Sequence, residues 1–141
     1  MRTNKLTAAH EKRLRRALEK VPYANLLGIE LESFAPGTAV VGVTIRDEHL
    51  QNNGVVHGGV IASLIDTATA FAVLTVVPRQ ERVTTVDLTI SYLRPIVDGR
   101  VHTRARVLRA GRRVIAVTAE VSTEDETLAA TALSTYLRLG F

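Results

Sequence analysis

The chain has 141 residues, 46% of them hydrophobic, with 18 basic against 14 acidic side chains, a net charge of +4 and no cysteine. That length suits one domain with a sizeable core, the hydrophobic share excludes wholesale disorder, and the missing cysteine excludes disulfides, thiol nucleophiles and thiolate metal sites while fitting a cytoplasmic protein. The basic excess is nearly all arginine, but with 4% aromatic residues and no tryptophan it forms no nucleic-acid-binding signature, so nucleic acid is not an expected partner.

Residues 1–20 are charged throughout, with no apolar run, and do not read as a signal peptide. Thr7 stands where an N-cap would, and Leu14 and Leu18 share one face of a helix over Ala8–Glu19. Residues 1–20 therefore read as a helical extension ahead of a single domain at 21–141. Val21-Pro22 ends that helix, and Pro22 opens a short one over 23–27 with Gly28 as its C′ residue. A strand over 29–33, a turn at Ala35-Pro36-Gly37 and a strand over 38–46 follow, then a polar loop over 47–53 closed by Gly54.

Residues 57–66 read His-Gly-Gly-Val-Ile-Ala-Ser-Leu-Ile-Asp, the most informative stretch of the chain. They open a long helix over 59–77, stopped by Pro78 and apolar nearly all round, so that something must cover nearly all of it. Ser63, Asp66, Thr67, Thr69 and Thr75 interrupt the apolar run, which favours a buried core helix over a membrane span. Burying a carboxylate there is costly without a partner or a task. A helix N-terminus behind Gly-Gly offers free N–H groups to an oxyanion or a polarised carbonyl. One acid plus such a donor is a minimal kit for acyl transfer.

The remainder reads as β. Over 83–94, Val86, Leu88, Ile90 and Tyr92 alternate with Asp87, Thr89 and Ser91. After a connection at 95–99, Val101, Thr103, Ala105 and Val107 alternate with His102, Arg104 and Arg106 over 100–109. Ala110-Gly111-Arg112 is a hairpin turn, 113–123 a strand, 124–127 an acidic turn and 128–139 the last strand. The plan is two strands, one very apolar helix, then three long strands in a meander. The fold class is α+β: a long central helix wrapped by a curved, mostly antiparallel sheet of five or six strands.

Several features together are more specific than any one of them: His57-Gly58-Gly59, Asp66 nine residues after the histidine, Thr85-Val86-Asp87-Leu88 leading to Tyr92-Leu93-Arg94-Pro95, and the hairpin at 108–112. Over residues 25–139 they resemble the hotdog-fold acyl-CoA thioesterases, in the branch typified by phenylacetyl-CoA thioesterases and their human acyl-CoA relatives. The resemblance implies hydrolysis of an aryl- or medium-chain acyl-CoA to free acid and coenzyme A, with no metal or other cofactor.

It implies Asp66 as nucleophile or general base, and Gly58 as the N–H donor to the thioester carbonyl. It also implies a supporting or substrate-contacting role for His57, and Thr85 as a Ser/Thr position that orients water or the acid. Gln51 stands where the family usually has Asn, so the amide role passes to Gln51 or to the neighbouring Asn52 or Asn53. Val83, Asp87 and Tyr92 fall along the acyl and pantetheine path, and Ala110, Gly111, Arg112 and Arg113 near the nucleotide. For each of these an ordinary structural role is the competing reading: a capped or paired Asp, glycines that only permit a tight helix entry, a strand threonine, solvated arginines.

The family further implies a homodimer with shared active sites, and dimers that pair into a homotetramer in some members. Helix geometry agrees with the sharing: nine residues turn through about 900°, which puts positions 57 and 66 about 180° apart and ~13 Å along the axis. A two-fold could bring Asp66 of one chain to His57-Gly58 of the other. The alternatives are a non-catalytic acyl-CoA-binding hotdog protein, a sensor or scaffold, which the presence of Asp66 disfavours, and a hotdog hydratase. Hydratases of that fold pair an Asp with a His a few residues later, and here none follows Asp66 until His102.

Overall fold

The structure, a computed structural model, describes residues 5–140; the first four residues of the 1–20 extension and Phe141 lie outside the described residues. Helix α1 (Ala8–Glu19) starts where Thr7 Oγ1 accepts the His10 N–H at 3.1 Å, and it buries Leu14 and Leu18. Helix α2 (Pro22–Leu27) opens on proline and ends at Gly28, whose φ of 76° is the left-handed cap that glycine adopts without strain. Strands β1 (Glu30–Ala35) and β2 (Thr38–Thr44) lead through a short 3-10 turn (Asp47–His49) to the long helix α3 (Gly58–Leu74). Strands β3 (Arg82–Tyr92), β4 (Arg100–Ala110), β5 (Val114–Thr123) and β6 (Leu128–Gly140) complete the chain.

All six strands form one antiparallel sheet in the order β1-β2-β4-β5-β6-β3. It curves around α3, which meets every strand. Leu64, Ile65, Ala68 and Ala72 of α3 share one buried cluster with Val41, Val101, Ile115, Val117 and Val121 of the sheet. This is the α+β hotdog architecture. No helix among the described residues is long and apolar enough to cross a membrane.

Three details depart from the sequence reading. Helix α3 starts at Gly58 and ends at Leu74, short of Val77. Pro78 bars its preceding residue from the helix, but the end comes earlier because Thr75 Oγ1 donates to Ala72 O and accepts the Gly37 N–H, at 2.6 and 2.7 Å. The four segments read as β after α3 are all strands, but they are not one meander and the plan's count of three holds only for the last three. Strands β4, β5 and β6 form the meander, whereas β3 lies at the far edge beside β6. Finally, the alternation that groups Val86 with Leu88 and Ile90 is broken. Thr85 pairs with Tyr136 and Asp87 with Thr135, so Val86 is the extra residue of a bulge. Val86 is 56% exposed, while Leu88 and Ile90 pack on the core. The bulge rephases the strand and brings Thr85 onto the same helix-facing side as Leu88.

The two edges of the sheet differ. Strand β1 has six residues and an irregularity between Leu31 and Ser33. Arg15 of α1 covers it, donating to Leu31 O at 3.2 Å and lying 5.1 Å over the Phe34 ring. Strand β3 has eleven residues, and among the described residues its outer edge has no partner strand.

Candidate active site

The N-terminus of α3 is built around two glycines. His57 is its N-cap, and His57 Nδ1 accepts the Gly59 N–H at 2.8 Å, which places the ring proton on Nε2. The Val60 N–H goes to His57 O at 2.9 Å. The Gly58 N–H makes no hydrogen bond among the described residues and sits at the positive end of the helix dipole. Neither Gly58 nor Gly59 has a positive φ; close approach explains both. A Cβ at Gly59 would stand 2.9 Å from His57 Nδ1, and one at Gly58 3.3 Å from the Tyr92 ring.

Side chains from elsewhere brace this turn. Tyr92 OH donates to Gly58 O at 2.9 Å. Ser63 Oγ donates to Gly59 O and bonds Tyr23 OH of α2, each at 2.8 Å. Buried His49 ties the approach together: its Nδ1 accepts the Arg46 N–H, its Nε2–H donates to Leu27 O, and its carbonyl accepts the His57 N–H. The loop between closes through Gln51 N–H to Val55 O at 2.8 Å. Gln51 thereby lines a groove of about 500 Å³ with Val56, Gly58, Gly59, Tyr92 and Ile96; Asn52 and Asn53 do not line it.

Asp66 lies two turns further along, on the stripe of α3 that the sheet leaves open: Gly59 and Asp66 are exposed and Ala62, Ser63, Thr67 and Ala70 half-buried. Its carboxylate is thus exposed within one chain rather than enclosed in the core. Thr85 Oγ1 donates to Asp66 Oδ1 at 2.9 Å, which the bulge at Val86 makes possible. Tyr136 OH lies 3.1 Å from Asp66 O and 3.4 Å from Oδ1, and 2.8 Å from Thr69 Oγ1. Burial pushes the Tyr136 phenol up to about 12, so at neutral pH it is a protonated donor. Asp66 makes no ion pair among the described residues.

Sequence reasoning does not assign Tyr136 or Thr69 to this carboxylate. Thr69 is only one turn from Asp66 on the same helix, which is a usable signal. Tyr136 reaches the site only because β6 lies beside β3, which no local pattern announces.

The other candidates are more scattered. Val83 packs on the core on the side of Thr85, whereas Asp87 is exposed and lies past the bulge on the opposite face. The hairpin tip is open: Ala110, Arg112 and Arg113 are exposed, and neither arginine makes an ion pair among the described residues. Gly111 is required there, since a Cβ would meet Val114 O at 2.7 Å. The groove that Gly58 lines does not include Asp66.

The profile of the thioesterase superfamily matches residues 53–130. The chain is 30% identical over 132 residues to the medium/long-chain acyl-CoA thioesterase YigI of Salmonella typhimurium, across 83% of this chain and 85% of that protein. Its fold superposes on a mutant of the phenylacetic acid degradation protein PaaI from Thermus thermophilus with a TM-score of 0.78 and 32% identity, over 84% of this chain and 100% of that one. For the Escherichia coli PaaI protein from the phenylacetic acid degradation operon the TM-score is 0.84 at 26% identity, over 93% and 94% of the two chains.

Proposed function

The chain belongs to the thioesterase superfamily and is a hydrolase with the hotdog fold, and on that premise we propose that it hydrolyses an aryl- or medium-chain acyl-CoA to the free acid and coenzyme A. The observation that carries the reading is the Asp66 carboxylate, held by Thr85 at 2.9 Å on the one open stripe of an otherwise buried apolar helix. A carboxylate so placed is positioned to attack a thioester carbonyl or to take a proton from the water that does. The thioester oxygen binds at the free Gly58 N–H, where charge developing on it meets the helix N-terminus. His57 contributes by occupying the Gly59 N–H, which keeps the turn fixed and leaves the Gly58 donor to the substrate. Gln51, at the mouth of the same groove, orients water or substrate.

In this reading the protein acts as a homodimer in the cytoplasm, without metal or redox cofactor, and Asp66 of one chain works with Gly58 of its partner. The long unpaired edge of β3 and the uncovered stripe of α3 support it. So does the separation of the two groups within one chain. A homotetramer of two such dimers is compatible with the same site. Val83 and Tyr92 border the acyl and pantetheine path from the inner side of β3, and Asp87 from its outer side. Ala110, Gly111, Arg112 and Arg113 meet the nucleotide, whose phosphates suit guanidinium donors. One relative is named for medium and long chains and another for phenylacetic acid degradation, which supports an aryl- or medium-chain acyl group here.

The test is thiol release from a panel of aryl- and alkyl-CoA esters, with wild type and Asp66→Asn side by side. The chain has no cysteine, so a thiol reagent reports only the product. Turnover by wild type that collapses in Asp66→Asn supports the proposal, and the panel names the acyl class. Binding without thiol release from any ester would replace it with a non-catalytic acyl-CoA-binding role.

A further inference from the structure

Three hydroxyls converge on Asp66 from three elements: Thr69 on α3 itself, Thr85 on β3 and Tyr136 on β6. Thr85 and Tyr136 are direct partners across the two strands, and the bulge that follows at Val86 sets that register. Both strand residues address the same carboxylate oxygen. Thr85 Oγ1 is 2.9 Å from Oδ1 and Tyr136 OH is 3.4 Å from it, while Oδ2 accepts no hydrogen bond among the described residues. Thr69 Oγ1 lies 2.8 Å from the Tyr136 oxygen; when Thr69 donates there, the single phenolic proton is free for Asp66, shared between its backbone carbonyl at 3.1 Å and Oδ1 at 3.4 Å.

We propose that Tyr136 is a positioning residue for Asp66: together with Thr85 it anchors Oδ1, which leaves Oδ2 turned to the open stripe as the oxygen that acts on the thioester or on water.

The inference rests on Asp66 being the acid of the reaction. Its physical basis is that a carboxylate on an exposed helix face is otherwise free to rotate, and every misoriented rotamer is unproductive. Tyr136 is 2% exposed, so its own ring cannot move, and its hydroxyl is a rigid stop rather than a flexible partner. The competing account is that the ring merely fills the core and that Thr69 satisfies its hydroxyl.

Tyr136→Phe separates the two, because it keeps the ring and removes only the hydroxyl. With an acyl-CoA that wild type hydrolyses, kcat is expected to fall about tenfold with KM within about twofold. A merely structural role would leave this split of kcat from KM unseen, because a well-folded core variant keeps both constants. A Tyr136→Phe protein with unchanged kcat, whatever its melting temperature, overturns the proposal. Should Tyr136→Phe fail to fold, 3-fluorotyrosine incorporated at 136 keeps the shape and strengthens the donor. The kcat is then expected to rise at constant KM, and an unchanged kcat again overturns the proposal. Asp66→Asn distinguishes the two levels of failure. If it retains activity, the assignment of Asp66 falls and this inference with it; if it is inactive while Tyr136→Phe is unaffected, only the role of Tyr136 falls.

Discussion

Ile65 and Asp66 are neighbours in sequence, about 100° apart around α3, and meet opposite surroundings. Ile65, with Leu64, Ala68 and Ala72, is 0% exposed and pressed against the sheet. Asp66 shares the other face with Gly59 and Ser63, where the polar side chains have definite partners: Ser63 on Gly59 O, Thr67 on Ser63 O, Asp66 with Thr85. On the covered face a residue matters through its volume. On the open face it matters through where its hydrogen bonds point. A helix that is apolar by composition is made functional by the orientation of a few groups.

That contrast can be broken from either side. Asp66→Asn should lower thiol release by a factor of about 10³ while leaving the denaturant midpoint nearly unchanged. Ile65→Ala should do the reverse, costing about 2–5 kcal/mol in chemical denaturation with kcat of the folded protein retained. If the first substitution destabilises more than the second, the division into two faces fails. Thr85→Val should lower kcat about tenfold by removing the donor on Oδ1, and Thr85→Ser should restore most of it. The smallest effect concerns Tyr136, whose folded value near 12 exceeds the ordinary 10.0. The folded state holds the phenolic proton more tightly, so the stability this contributes is complete below pH 10 and is lost as pH rises through about 12. Phenolate absorbance in the near ultraviolet should therefore show a late component, coincident with alkaline unfolding, that is absent in Tyr136→Phe.

What sequence reasoning reached was local. Thr7 as a cap, Gly28 as a helix stop and the His57-Gly58-Gly59 entry are all encoded within a turn or two of where they act. The alternation over 100–109 also survives in β4, with Val101, Thr103 and Ala105 buried and Arg104 and Arg106 exposed. What escaped it depends on a partner distant in the chain. The run from Val83 to Tyr92 reads the same with or without an extra residue, and only the pairing with β6 makes Val86 a bulge and turns Thr85 inward. Thr75 ends α3 because its hydroxyl also meets Gly37 in the β1–β2 turn. The reason for Gly58 and Gly59 is likewise contact rather than backbone angle, and half of that contact comes from Tyr92 on β3.

The unequal edges of the sheet carry one more consequence. Strand β1 is short, irregular and shielded by Arg15, while β3 is long and, among the described residues, without a partner strand on its outer edge. Two copies that join outer edge to outer edge expose only shielded ones afterwards, so accretion through the sheet is self-terminating. In such a pair the asymmetry that leaves one strand open would leave no open edge for fibrous growth.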